Sequence, residues 1–423
     1  MIQKIYILAL LLGMHSTSFA KVILTYEEAV LLAQKNNLEI AAASEAFRAS
    51  ELKIRSAQGQ YLPDLNLGLS YNKIKSELST GASTSNDSFT SSLTLTQNLF
   101  NGFSDAASVK LARSNFLTEE ANFQDTKSQI SFDLRSAFAA YFYAKDSLTL
   151  ARDIKKRRED NLAMVELRFE NGRENKGSVL LSKAYLEGAK LDLIKAENTM
   201  QSSLLYLARI LNIGDDTQIE LSSRPEIPLM SYDKTNPDFN LLIQDTPLFK
   251  KFQSVLLSAE ANLTIGRSSY YPSWDISGSV EKSGDSFFPN DTKNLKIGTG
   301  LTWSIFNGGK DYFTTNSQNL LVKASEKRLE NQYKELKRIL QQNFVSFKEA
   351  SLAVNVSQAF LKAAEVRSDI ARSKYNNGIS NFDDWDLIEN ELINRQKDLT
   401  LKVRDQLVAL ASWENAQGKG MFP

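Results

Sequence analysis

Cysteine is absent from all 423 residues, and the only histidine is His15. The first absence excludes disulfides and a lipid-bearing N-terminal cysteine. Together the two absences remove the commonest soft and borderline metal ligands. Proline occurs eight times, so little interrupts the chain. Neither charge sign is in excess, with Lys plus Arg and Asp plus Glu at 50 each, which leaves no whole-chain field for nucleic acid or for a cationic partner. Long apolar runs are missing too. The stretch Ile5 to Met14 has ten residues, against the roughly twenty that a membrane-spanning helix needs.

That short run is informative in another way. Lys4 precedes it, and Ser18-Phe19-Ala20 places small residues where a signal peptidase reads. Residues 1–20 are therefore read as a cleaved export signal rather than an anchor. Since His15 falls inside the signal, the mature chain lacks the imidazole base of a hydrolytic triad, and most enzyme readings lose their best residue. The length exceeds what one core usually fills, so two domains or an elongated body are expected.

The chain then repeats itself. "QNLFNGF" at 97–103 matches "WSIFNGG" at 303–309, and "RFENG" at 168–172 matches "KYNNG" at 374–378, both at a shift of 206. "QYLPDLNLGLSYNK" (60–73) matches "YYPSWDISGSVEK" (270–282) at a shift of 209. Self-similarity on this scale sets the organisation before any local reading. The expected plan is a first repeat over 21–212, a connector over 213–236, a second repeat over 237–416 and a tail over 417–423.

Each repeat opens on a helix, the first announced by a Thr25/Glu28 capping box and the second by Pro237-Asp238. Proline after Tyr61 and Tyr271 then biases the chain toward extended geometry. Leu65, Leu67, Leu69 and Tyr71 alternate with polar residues, as do Leu93, Leu95 and Leu99 on the return; Trp274, Ile276 and Val280 are answered by Leu295, Ile297, Leu301, Trp303 and Ile305. The spacing predicts two hairpins of strands about ten to twelve residues long, closed by polar loops at 76–88 and 283–294. After each Asn-Gly, apolar residues recur at alternating intervals of four and three: Ile130, Leu134, Ala137, Tyr141, Ala144, Leu148 and Ala151, then Leu336, Leu340, Asn343, Phe347, Ala350 and Val354. A helix from Ser104 to Phe169 would reach roughly 100 Å. Gly172 and Gly378 end these rods in a left-handed turn, and helices return over about 177–211 and 383–416. The connector, with two of the eight prolines, Pro225 and Pro228, reads as irregular.

Such hairpins pack on a soluble core or cross a membrane with lipid on one side and water on the other. Strand length fits a tilted membrane strand. Phe100, Trp274, Trp303 and Phe306 gather at the helix-proximal strand ends, where an interfacial aromatic belt belongs, and Gly102 and Gly308 sit at the strand–helix joints. Four strands do not close a barrel, and open edges are not satisfied in lipid, so two, three or four chains must associate.

The signal, the duplicated unit, the "QNLFNG" and "WSIFNGG" strand exits, and the tip segments "RFENGRENKGSVLLSKAYL" and "KYNNGISNFDDWDLIENEL" resemble the TolC-type outer-membrane efflux proteins over essentially the whole mature chain. The resemblance implies a mainly α fold with a pair of β-hairpins. It implies a homotrimer whose twelve-stranded β-barrel in outer-membrane lipid continues as an α-helical coiled-coil tunnel through the periplasm of a Gram-negative bacterium. Its expected partners are a periplasmic adaptor and an inner-membrane transporter of RND, ABC or MFS type. It implies an exit duct for tripartite efflux or type I secretion, not an enzyme.

The resemblance also places a gate at the periplasmic tip, where Tyr375 matches a tyrosine that holds the closed state. The family's tip arginine and aspartate fall on Ser380 and Ser178 here, so the latch is expected to differ. Asp383, Asp384 and Asp386 ("DDWD") match a segment that often carries an acidic ring, with Asp384 the best match. Three copies around an axis would favour cations. The competing reading is that Asp383 and Asp384 cap the returning helix, Asp383 in particular, and weak divalent-cation binding is a distant third. Arg168, Arg173 and Lys176 either contact an adaptor or form a solvated face, and "KKRR" at 155–158 reads as a solvated face. No catalytic, cofactor or resident metal site is expected. The alternative function is a non-conducting periplasmic or surface coiled-coil scaffold.

Overall fold

The computed structural model describes residues 21–77, 81, 83–214, 218–225, 236–420 and 422. The expected export signal lies outside them. Two halves follow one order. The first runs β1 (Lys21–Leu24), α1 (Tyr26–Asn36), α2 (Leu38–Gln58), β2 (Asp64–Glu77), β3 (Ser83–Asn101), α3 (Ser104–Glu170) and α4 (Lys176–Leu211). After β4 (Gln218–Leu221) the second runs α5 (Phe239–Asp245), α6 (Pro247–Ser268), β5 (Ser273–Gly284), β6 (Thr292–Thr302), α7 (Lys310–Asn376) and α8 (Phe382–Ala416).

The opening helix of each half is in fact two helices. Thr25 forms its capping box with Glu28, but Asn37 interrupts the run by capping α2, its side chain accepting from Glu39 N and Ile40 N while donating to Ile210 O at 3.0 Å. Thr246 does the same for α6, with Pro247 at its first position, where a missing N–H is harmless. The connector is not wholly irregular either, because β4 pairs in parallel with β1. That small sheet seats Leu24, Ile219 and Leu221 in the core cluster with Leu134, Phe138 and Tyr141, and the Tyr141 hydroxyl accepts from Leu221 N at 3.3 Å.

The four long strands form one antiparallel sheet in the order β2-β3-β5-β6. The strands of the first hairpin are longer than the spacing predicts, 14 and 19 residues, so ladder pairing takes up most of the 76–88 segment expected as loop. On one face the apolar positions line up across all four strands: Leu67 faces Leu93, Leu93 faces Val280, and Val280 faces Leu295. These side chains are exposed, Leu67 at 70% and Leu295 at 68%. Among the described residues no helix covers this face, and burying it elsewhere is worth about 25 cal/mol per Å².

Two details of this sheet differ from the alternation read in the sequence. Leu99 does not continue the Leu93–Leu95 face: the register shifts between Asn98 and Phe100, leaving Leu99 as a bulge. The extra residue brings Phe100 opposite Trp274, which puts both of these aromatics on the apolar face. At the other exit β6 stops at Thr302, so Trp303, Ile305 and Phe306 lie beyond the strand; Trp303 donates its indole N–H to Tyr270 O at 3.2 Å.

Past the sheet, α3 and α7 each run 67 residues, about 100 Å at 1.5 Å per residue. Helix α3 pairs with α4, α7 with α8, and α3 also packs on α8 and α6. The first seam is buried as the spacing predicts, apart from half-buried Leu148. The second departs: Phe344 and Ser351 are buried in place of Asn343 and Ala350. Asn343 turns its amide to Ile339 O at 2.9 Å, and the seam rotates by one residue to bring Phe344 against Trp413 at 5.3 Å. A polar residue in an apolar seam is thus displaced by its neighbour.

Among the described residues no helix is long and apolar enough to cross a membrane.

Candidate gate at the helical tip

The two rods end alike. In α3, Gly172 N bonds Phe169 O and Arg173 N bonds Arg168 O; in α7, Gly378 N bonds Tyr375 O and Ile379 N bonds Lys374 O. Both glycines have positive φ, 68° and 73°, and open space surrounds their absent Cβ positions, so the backbone angle is what selects glycine. The returning helices are capped by equivalent asparagines. Asn175 accepts from Ser178 N and Asn381 from Asp384 N. Asn381 is therefore the cap, not Asp383. Asp383 and Asp384 are exposed in the first turn of α8, where the helix dipole favours acids.

Tyr375 is fully buried. Its ring stacks on Trp385 at 4.6 Å with the planes 1° apart, and Phe382 meets both edge-on. The Arg168 guanidinium lies over the opposite face, 4.3 Å from the ring centre, and Arg168 also donates to Tyr375 O at 2.8 Å. The Tyr375 hydroxyl donates to Glu174 Oε2 at 2.8 Å. Burial first, then the Glu174 carboxylate, pushes the phenol well above its usual range, so it stays a donor at every physiological pH. Ser178 is buried and donates to Glu174 Oε1 at 3.0 Å. The carboxylate at this junction thus comes from Glu174, and the guanidinium from Arg168. Ser380 donates to the neighbouring Asn381 O at 3.4 Å. The expectation of Arg168 on an outer, adaptor-facing surface is corrected by this geometry, because the side chain turns inward to cover the tyrosine. Arg173 and Lys176 are exposed.

Higher along the rods a second polar cluster lies between the two helix pairs. Glu389 is fully buried. It accepts from Ser368 at 2.5 Å, Arg372 at 3.1 Å, Arg157 at 3.3 Å and Asn161 at 3.5 Å. Burial pushes this carboxyl up, but Ser368, Arg372 and Arg157 outweigh it and hold the group below the usual carboxylate range. One turn away Asp386, also buried, meets Arg158 at 3.6 Å and accepts from Asn390 at 2.9 Å. Arg158 donates to Asn390 Oδ1 at 2.5 Å and covers the Tyr185 ring at 4.5 Å. Burial raises the Asp386 carboxyl despite the opposing pull of Tyr185, Arg158 and Asn390.

Two readings change here. Asp386 does not belong with the exposed pair Asp383 and Asp384, because it is taken up inside the chain. "KKRR" is not wholly a solvated face, since Arg157 and Arg158 brace α3 against α8. A signal for this existed: continuing the first seam from Ala151 by steps of three and four leads through Ile154 to Arg158, Asn161 and Val165, all buried. A charged residue in a seam position calls for a buried partner. Glu174 carried no comparable signal.

An apolar sheet face left uncovered, strands that hand over to rods about 100 Å long, and a tip where side chains of both halves meet are the features of an outer-membrane channel subunit. The comparisons agree. Residues 30–212 and 240–419, one block in each half, match the family model for outer membrane efflux proteins, and the chain belongs to that family. Protein CyaE of Bordetella pertussis is 25% identical over 223 residues, 51% of this chain, and the chain spans 46% of that relative's length. Among solved structures, the outer membrane protein VceC of Vibrio cholerae superposes with a TM-score of 0.81 at 19% identity, over 93% of this chain and 96% of that one. The Campylobacter jejuni CmeC outer membrane channel gives 0.82 at 16%, over 94% and 86%. The open state of the Neisseria gonorrhoeae MtrE outer membrane channel gives 0.77 at 18%, over 93% and 89%. Likeness at these identities is likeness of fold. With the family it places the sheet in the outer membrane and the rods in the periplasm.

Proposed function

We propose that three copies of this chain form a gated exit duct. The observation that carries the reading is the four-stranded sheet itself. Among the described residues its apolar face is uncovered, and β2 and β6 have no partner on their outer edges. Lipid cannot satisfy those edges, whereas three copies joined edge to edge make a closed barrel of twelve strands. The rods then continue the barrel as a tunnel that meets a periplasmic adaptor and an inner-membrane transporter of RND, ABC or MFS type. The duct serves tripartite efflux or type I secretion and supplies no energy of its own.

In this reading Tyr375, held by Glu174, Arg168 and Trp385, latches the α7–α8 pair to the α3–α4 pair and keeps the tip closed. Gly172 and Gly378 shape the turns that carry the latch. Asp383 and Asp384, three copies of each, form the acidic constriction. Arg173 and Lys176 face the adaptor. Phe100, Trp274, Trp303 and Phe306 mark the periplasmic membrane interface. The purified protein in detergent should have the mass of a trimer and show low basal conductance in planar bilayers. A monomer that conducts nothing, with or without denaturing the tip, would falsify the reading.

A further inference from the structure

The outward face of the sheet carries an unusual pair near its helix-distal end. Lys282 and Lys293 are directly opposite each other on β5 and β6. Both are exposed. They share a face with Val280 and Leu295 by the two-residue period of the strands. Within the chain their row continues through Ser91 to Leu69 and holds no acid. Like charges directly opposite on a sheet repel. The same sheet supplies a counter-charge elsewhere: two rows on, Lys73 faces Asp87 and pairs with it at 3.4 Å. Near the lysine pair, Asp291 instead accepts from Asp285 N at 3.3 Å, and among the described residues Lys282 donates to the neutral Asn290 side chain at 2.9 Å.

Height matters as much as charge. From Trp274 to Lys282 is eight residues of β5, about 26 Å along the strand at roughly 3.3 Å per residue, or about 20 Å of height at a tilt near 40°. A barrel's apolar band is about 25 Å tall. The lysines therefore stand at the upper edge of that band, the edge farthest from the periplasmic rods. Beside them the loop after β5 folds back over the apolar face. Phe287 meets Phe89 at 6.0 Å and Phe288 at 5.0 Å. With Leu67, Leu69 and Lys282 these rings line an open recess of 680 Å³. An apolar recess beneath two ammonium groups that pair with no acid among the described residues has the polarity of a lipid whose acyl chains point down and whose headgroup is anionic.

We infer that the Lys282–Lys293 pair and the Phe287–Phe288 recess bind a phosphorylated lipid of the outer leaflet, phosphate between the lysines and acyl chain against the aromatic rings. The inference rests on the outward face being lipid-facing, and it adds a specific headgroup to that face.

The test uses the full-length protein in neutral detergent, with lipid A bearing its phosphates and the same lipid after enzymatic dephosphorylation as probes. Lipid retained per chain is read by native mass spectrometry, and thermal stability by tryptophan fluorescence. The wild type should retain the phosphorylated form about fivefold better, the size of one charge-assisted contact. Lys282→Gln/Lys293→Gln should lose that preference, and so in smaller part should Lys293→Gln alone. Phe287→Ser/Phe288→Ser should lower retention of both forms. Lys296→Gln, on the opposite face by strand period, should change neither. The double lysine variant carries a further signature. It should be more stable than wild type in neutral detergent, where the repulsion is relieved, yet gain less from added lipid A. Equal retention of both lipids by the wild type, or an unchanged preference in the double variant, overturns the inference. A protein that conducts but shows either result fails only here, whereas one that forms no pore fails the channel reading instead.

Discussion

Glu174 and Tyr375 are 201 positions apart in sequence, yet their carboxylate and hydroxyl meet at 2.8 Å and join the tips of the two helix pairs. One residue sits in the turn after α3, the other in the last turn of α7. The bond therefore spans the boundary that has to open if the helix pairs are to move relative to one another. Arg168 and Trp385 sandwich the same ring, so the phenol has one orientation available and the hydroxyl is aimed before the bond forms.

Tyr375→Phe keeps the stack and removes only that hydroxyl. A buried hydrogen bond to a charged group contributes about 2 kcal/mol, so the closed tip should weaken by over tenfold in its equilibrium. Basal conductance in planar bilayers should rise, with thermal stability of the rest of the molecule nearly unchanged. A variant as silent as the wild type would count against the latch.

Removing the Glu389 charge should show in stability before it shows in conductance. Glu389→Gln leaves Arg157 and Arg372 without their shared carboxylate, at about 3 kcal/mol for a broken buried pair. The pH dependence has a definite sign. The folded-state value of this carboxyl is held down, so its stabilisation is complete above the unfolded value of about 4.3 and is lost as pH falls through the folded one. Melting followed by tryptophan fluorescence should therefore fall more steeply for the wild type than for Glu389→Gln once the buffer is below about pH 4. Parallel curves would show that the group does not sense the proton as its surroundings imply.

Asp383→Asn/Asp384→Asn separates a pore function from a capping one. Asn381 already caps α8, so the loss in stability should be limited to the helix-dipole contribution, about 0.5 kcal/mol per acid. The cation preference read from reversal potentials in a salt gradient should nonetheless decline. Unchanged selectivity with a lower melting point would return both acids to a structural role.

The joint glycines should not be equivalent. Gly102 has φ +57°, and a Cβ there would lie 2.4 Å from Ser268 O, whereas Gly308, at φ +60°, has open space around it. Gly308→Ala meets only left-handed strain, about 1 kcal/mol. Gly102→Ala adds a collision with the backbone at the end of α6, and the yield of assembled protein on gels should drop sharply for this variant alone.

The duplicated plan, the rod lengths, the tip glycines and the alternating apolar face were all legible in the sequence, because each follows from backbone geometry within a short window: a period of two, a period near 3.6, a left-handed turn. The windows failed where a residue answers to something remote. Asn37 breaks a helix that local spacing would continue, because its amide reaches Ile210. Leu99 leaves the alternating face because a bulge is needed to set Phe100 beside Trp274. Arg157 and Arg158 read as solvated until Glu389 and Asp386 arrive from the other half. Local periodicity, then, determined that this protein is a repeated hairpin and rod with one apolar face on each hairpin. Only the tertiary structure decided which charges are buried against each other and which side chains join the two halves at the tip, since a burial partner some two hundred residues away leaves no periodic trace in the chain.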